Sequence, residues 1–470
     1  MERLNRREAL QRVACGFGSL ALADLFARWA ARSARAATTK APHHPPRARR
    51  VIFLFMQGGP SHVDTFDYKP TLIERDGELL SFDDPRTRAK TGKVIKHQVM
   101  RPRWKFRQYG ESGSWVSELF PHVARHVDDL CFVHSAQTEG IAHGPATLFL
   151  HTGAIAFVRP SMGSWILYGL GTENENLPDF VTLNPPMNVG GPRNYSSAFL
   201  PSVYQGTPVG RAGQKLSLAS FPNIQNPRYD SAHQRRHLDL VQSLNRARAA
   251  ETPADADFDA VIRSYELAFQ MQFEVPRVLD LTTESKETLQ SYGIGDKATD
   301  SFGRQCLIAR KLVEAGVRFV QVNYSNDSSP PWDQHSKIEQ HAIHARAVDR
   351  PIAALLYDLK RRGLLDDTLV WWSGEFGRTP YAQDRGTGRD HNPLGFTMWF
   401  AGGGVKPGFH FGATDEYGFQ AVENPVHMRD IHATILYLLG LDHTRLTYTF
   451  GGREFRLTDV GGRVVHELLA

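Results

Sequence analysis

Cysteine is scarce, with three in 470 residues, at positions 15, 131 and 306. So few exclude a disulfide framework, and with no CxxC pair a cysteine-built zinc module is excluded too. Cys131 and Cys306 could form at most one bridge, and Cys131, inside the apolar LCFV, reads as core. No run of eighteen apolar residues exists, which argues against a membrane-spanning helix. A P-loop, a dinucleotide fingerprint and a GxSxG elbow are also missing, and with them the chemistries they carry. A basic body is absent as well. Residues 1–50 hold eleven Lys/Arg against three Asp/Glu, a net of +8 within a total of +5, so the remainder carries −3 and nucleic acid is not an expected partner.

What is present at the N-terminus is an export pattern. Arg6 and Arg7 precede the weakly apolar VACGFGSLALADLFA and the small-residue stretch ARSARAA. This predicts a twin-arginine-type leader and linker over 1–50, export by the twin-arginine machinery, and a periplasmic or secreted protein. Asp24 and Arg28 interrupt the apolar run, so an amphipathic N-terminal helix is the alternative.

The remaining length, with 41% hydrophobic and 22% charged residues, suits one large α/β domain with insertions, here 51–470. Short apolar runs read as buried strands: VIFLFM, LCFVHSAQT, VRFVQVNY, TLVWWS and FTMWFA. Between them HGPATLFLHTG, SMGSWILYGLG, FGRQCLIARKLVEAG, PIAALLYDLKRRG and VHMRDIHATILYLLG read as helices, and TYTFGGREFRLTD as a closing hairpin. Alternating strands and helices predict a mostly parallel sheet covered on both faces, with a largely helical insertion or cap over about 187–300.

Polar clusters follow three of the strands directly: PSHVDTFD, SSPPWDQH and GEFGRTP. In open α/β sheets ligands bind where loops leave the carboxyl ends of strands. His62 and Asp64 share an i, i+2 spacing, as do Asp333 and His335, which suits joint binding of a cation by an extended segment. Ser336 with Glu339 forms a capping-box pattern, predicting a helix that starts at Ser336 and carries His341 and His344 on a solvated face. Glu375 offers a further carboxylate, Arg378 an anion clamp, and Asp390 with His391 another pair in the turn-rich GRDHNPLGF. Imidazoles and carboxylates together favour zinc or manganese, as one or two ions.

Taken together, the NRRE leader, GGPSHVDTFD, WDQH, GEFGRTP, GRDHNPLGF and HATILYLLGLDHTRLTY resemble the DUF1501 family, grouped with the alkaline phosphatase and sulfatase superfamily. HGPATLFLHTG is similar to the C-x-P-S-R-A-A-L-L-T-G segment that bears the sulfatase nucleophile. The resemblance implies an alkaline-phosphatase-like fold and metal-assisted hydrolysis of a phosphate or sulfate ester, small or on a polysaccharide. This chain departs from the pattern: His143 stands at the nucleophile position, Thr147 at the arginine position, and Phe376 follows Glu375 where a second ligand is expected. His143 can serve as ligand, base or phospho-carrier, with Thr147 and Ser61 as reserve nucleophiles. A non-catalytic secreted metal- or ligand-binding protein and a phosphomutase or transferase are the alternatives to a hydrolase.

Overall fold

VIFLFM forms the centre of the molecule because every one of its residues is buried on both faces. The computed structural model describes residues 41–173, 176–217, 224, 226, 228–251, 256–383 and 386–470. Its main sheet contains β1 (Arg50–Met56), β2 (Leu130–Gln137), β3 (Phe180–Leu183), β4 (Thr207–Val209), β5 (Phe319–Tyr324), β6 (Thr368–Ser373), β7 (Phe396–Ala401), β8 (Phe409–Phe411) and β9 (Val426–His427). The order is β8-β2-β7-β6-β1-β5-β3-β4, with β9 against β2. All pairings are parallel except those of β7, which runs antiparallel to β6 and β2.

Alternation along β1 divides the apolar residues between two cores. Ile52, Leu54 and Met56 face one core with α5 (Asp300–Glu314) and α6 (His341–Arg361). Val51, Phe53 and Phe55 face the other, with α1 (His143–Thr152), α2 (Met162–Leu170) and α7 (Met428–Leu438). The predicted α/β architecture with helices on both faces is therefore present. Cys131 and Cys306 are free and buried in opposite cores, so no bridge joins them. No helix among the described residues is long and apolar enough to cross a membrane.

Three expectations change. The 187–300 segment is not only helical: after two 3₁₀ turns it contributes β4 to the sheet edge before α3 (Ser231–Glu251) and α4 (Ala256–Leu279). The helix expected at Ser336 begins at His341, because Lys337 pairs with Thr387 and Ile338 N–H donates to the Thr387 carbonyl, holding that stretch extended or in a 3₁₀ turn. His341, expected on a solvated face, is buried, and its Nε2 accepts a hydrogen bond from Ser61 N–H at 3.0 Å. Residues 1–40, where a leader is expected, lie outside the described residues, and residues 41–50, read as linker, pack on the domain. His43 N–H donates to the Gly440 carbonyl at 2.8 Å, and Ala48 joins the core. The closing hairpin forms as expected, Tyr448–Phe450 against Arg453–Phe455.

Candidate metal centre

The neighbouring parallel strands β5, β1 and β6 end at one edge of the sheet, and their three polar loops meet there. The loop after β1 touches the loop after β5 through Gly58, whose φ is +109°. A Cβ there would sit 2.8 Å from the backbone nitrogens of Trp332 and Asp333, so only glycine permits the approach. The segment GRDHNPLGF is not all turn. Arg389–Asn392 is a strand paired with Gly377–Ala382, and that ribbon presents His391 opposite Arg378. His143, the first residue of α1, completes the group.

One ligand atom from each of His143, Asp333, His335 and His391 lies within 4.8 Å of all the others. Asp333 Oδ1 is 3.1 Å from His143 Nε2, 2.7 Å from His335 Nε2 and 3.4 Å from His391 Nε2. The two nitrogens of His335 and His391 are 3.1 Å apart. Neighbouring ligands of a tetrahedral zinc ion, with bonds of ~2.0–2.1 Å, stand ~3.3 Å apart, so the donor set fits a borderline divalent ion.

The opposite edges of the rings decide which nitrogen is bare. His143 Nδ1–H donates to Glu375 Oε1 at 2.6 Å, His391 Nδ1–H to the Ile141 carbonyl at 3.0 Å, and His335 Nδ1–H to Gln383 Oε1. Each acceptor takes a proton and gives none, so in its neutral form each ring keeps a lone pair on Nε2 for a cation in the cluster. His143 Nε2 is buried without a hydrogen-bond partner. Burial holds the His391 imidazole neutral, its pKa pushed down to about 2. For His143 burial acts downward too, but hydrogen bonds to Asp333 and Glu375 outweigh it and raise the pKa. Burial would raise the Asp333 pKa, yet the three histidines and Arg378 hold the carboxyl far below its usual range.

A sequence model of a family described as a protein of unknown function, DUF1501, matches residues 48–469. The chain belongs to the DUF1501 family. No curated protein matches this DUF1501 sequence. Among solved structures, it is similar to the lipoteichoic acid synthase LtaP from Listeria monocytogenes at 10% identity and a TM-score of 0.35, over 86% of this chain and 76% of that one. The PsFucS1 sulfatase from Pseudoalteromonas sp. matches at 12% identity and a TM-score of 0.35, over 84% and 68%. A TAB5 alkaline phosphatase with magnesium bound matches at 10% identity and a TM-score of 0.35, over 86% and 99%.

Of the residues nominated from the DUF1501 sequence, four form the cluster and five stand around it or elsewhere. Glu375 is fully buried and accepts Gly58 N–H on both oxygens at 3.0 Å besides His143, so it orients His143 and takes no place in the cluster. Arg378 is no open anion clamp. Its guanidinium is fully buried and donates to Asp333 Oδ1 at 2.8 Å and to the carbonyls of Gly58, Gly59 and Arg389. Asp390 pairs with Arg86 and lies 3.6 Å from His335 Nδ1. His62 and Asp64 are not brought to the cluster. His62–Thr65 is a helical turn, so the two side chains diverge: His62 Nε2–H donates to the Gly418 carbonyl at 2.7 Å, and Asp64 pairs with buried Arg389 at 2.6 Å. The reserve nucleophiles Ser61 and Thr147 are both buried, and Ser61 Oγ donates to Asp64 at 2.6 Å. Sequence reasoning missed Gln383 and the Ile141 carbonyl, which carry no motif and are found only through the fold.

Proposed function

We propose that this DUF1501 protein is a hydrolase of phosphate or sulfate esters that works at one divalent ion, zinc or manganese, held by His143, Asp333, His335 and His391. One observation carries the metal: the lone pairs of His335 and His391 Nε2 face each other at 3.1 Å beside the Asp333 carboxylate, an arrangement that a cation between them relieves. Bound there, the ion would polarise an ester oxygen and lower the pKa of a water. The chain's own groups prepare that site: Glu375, Gln383 and the Ile141 carbonyl fix the three rings, and Arg378 keeps Asp333 ionised. Glu375 holds His143 Nδ1, and Nε2 stands 3.1 Å from Asp333 Oδ1 inside the cluster, which supports a ligand over a phospho-carrier. With Ser61 and Thr147 buried, the nominated hydroxyls offer no covalent nucleophile, which supports attack by water. The ester class rests on the motif resemblance, HGPATLFLHTG above all.

Elemental analysis of the purified protein and assays on 4-nitrophenyl phosphate and sulfate, beside an Asp333→Ala/His335→Ala variant, test the proposal. Stoichiometric metal and ester hydrolysis, both lost in the variant, support it. Metal without turnover on any ester would leave a binding protein, and a folded protein that takes up no metal would overturn the site. Export through the twin-arginine machinery to the periplasm or beyond belongs to the same proposal, supported by Arg6 and Arg7. An Arg6→Lys/Arg7→Lys variant that still leaves the cytoplasm would contradict it.

A further inference from the structure

The segments that hold the metal cluster also wall a cleft. It has a volume of about 500 Å³ and is lined by Arg103, Trp104, Glu339, Ala342 and Thr387. That size falls in the ~300–1,000 Å³ range of small-molecule sites. Cleft and cluster share backbone. Lys337 pairs with Thr387, Ile338 N–H donates to the Thr387 carbonyl, and Arg389 N–H donates to the Gln334 carbonyl. The stretch bearing Asp333 and His335 thus runs beside the strand bearing His391, from the cluster into the cleft.

The third wall is tied to the same frame by the buried Asp64–Arg389 pair. Asp64 Oδ1 accepts from Arg103 N–H at 3.2 Å, Asp64 Oδ2 from Arg389 Nε–H at 2.6 Å, and Arg389 Nη2–H donates to the Met100 and Arg101 carbonyls at 3.0 and 3.2 Å. Asp64, nominated as a metal ligand in the first loop, therefore braces a binding wall.

The cleft presents one aromatic plane with a polar rim. Trp104 is half-buried and stacked at 6.4 Å on the buried His341 ring. Arg103 and Glu339 are exposed, and among the described residues neither the guanidinium nor the carboxylate has a hydrogen-bond or ion-pair partner. Thr387 adds a hydroxyl oxygen that can accept, its proton being donated to the Ser336 carbonyl. A single apolar plane flanked by a strong donor and a strong acceptor matches a sugar ring, whose C–H face packs on an indole while its hydroxyls both accept and donate.

We propose that this cleft is the subsite for the carbohydrate part of a sugar ester whose phosphate or sulfate group reaches the metal cluster. The proposal rests on the hydrolase reading. Isothermal titration of the zinc-loaded full chain with glucose, galactose and mannose 6-phosphates, N-acetylglucosamine 6-sulfate, methyl phosphate, methyl sulfate and adenosine 5′-phosphate tests it. At least one sugar ester should bind about tenfold or more tighter than the methyl ester of the same anion. Trp104→Ala should bring the two within about twofold and leave the methyl ester's affinity unchanged. Because Trp104 also packs on the core, Arg103→Gln and Glu339→Gln, both at exposed positions, provide the second test and should weaken sugar-ester binding selectively. No sugar ester preferred over its methyl ester, a preference untouched by all three variants, or preference for adenosine 5′-phosphate would overturn the subsite. Sugar-ester binding that depends on Trp104 without turnover of any ester would keep the cleft and remove the hydrolase.

Discussion

Each histidine of the cluster is set by what its far nitrogen meets, and this makes the supporting residues as testable as the ligands. Glu375→Gln can offer His143 Nδ1–H only a neutral oxygen, so metal affinity should fall about 10–100-fold with the fold intact, read by competition with a chelator for zinc. Unchanged affinity would mean that His143 is not held through Glu375. Asp64→Asn should act differently. It leaves Arg389 charged and fully buried without its carboxylate, and the loss should be about 3–5 kcal/mol in urea denaturation. At this scale the sequence was half legible. Asp333 and His335 stand in a motif after a strand and His391 in a turn-rich one, but the i, i+2 argument failed for His62 and Asp64, because it assumes an extended segment and the chain makes a helical turn there. Arg378 was legible as a charge and not as a partner, since the Asp333 carboxylate and the Gly58 and Gly59 carbonyls are brought to it from loops far away in sequence.

Between elements, α6 does more than cover the sheet. Its Asp349 accepts backbone N–H groups of His122 and Val123 at 2.8–3.2 Å, satisfying the start of the 3₁₀ turn Val123–Asp129. Burial raises the Asp349 pKa to about 7, despite those hydrogen bonds. A group whose pKa is raised on folding contributes its full stability below the unfolded value and loses it as pH rises through the folded value. Wild-type stability relative to Asp349→Asn should therefore fall as pH rises from about 4 to about 7, measured as the difference in denaturation midpoints. A difference constant across that window would show that the carboxyl is already ionised in the fold. Strands and helices were legible here because their apolar runs match the period of the element. Element ends were not: the helix expected at Ser336 is displaced by pairing with Thr387, a contact that no local pattern reveals.

For the molecule as a whole, buried neutral histidines set the acid limit. Burial lowers the pKa of His151 and His432 to about 4 and holds that of His341 well below the ordinary imidazole value. Unfolding exposes them to protons that the folded chain refuses, so stability should drop as pH falls from about 6.5 towards 4, by up to about 1.4 kcal/mol per histidine for each pH unit. A urea midpoint unchanged between pH 7 and pH 5 would contradict this. The layered architecture was the most legible feature of all, since a run such as VIFLFM has no place except between two covered faces.

The reversed direction of β7 has an evolutionary consequence. Because it is antiparallel to β6, the chain leaves one strand and enters the next at the same edge, and residues 374–395 never cross the sheet. That excursion contains Glu375, Arg378, Arg389 and His391. Its length is not dictated by the sheet, and changes within it can alter the cluster without reordering the strands wherever anchors such as the buried Arg389–Asp64 pair are kept. Chemistry and architecture can then diverge on separate schedules, and a descendant that has fallen silent would betray itself by what is missing between these two strands.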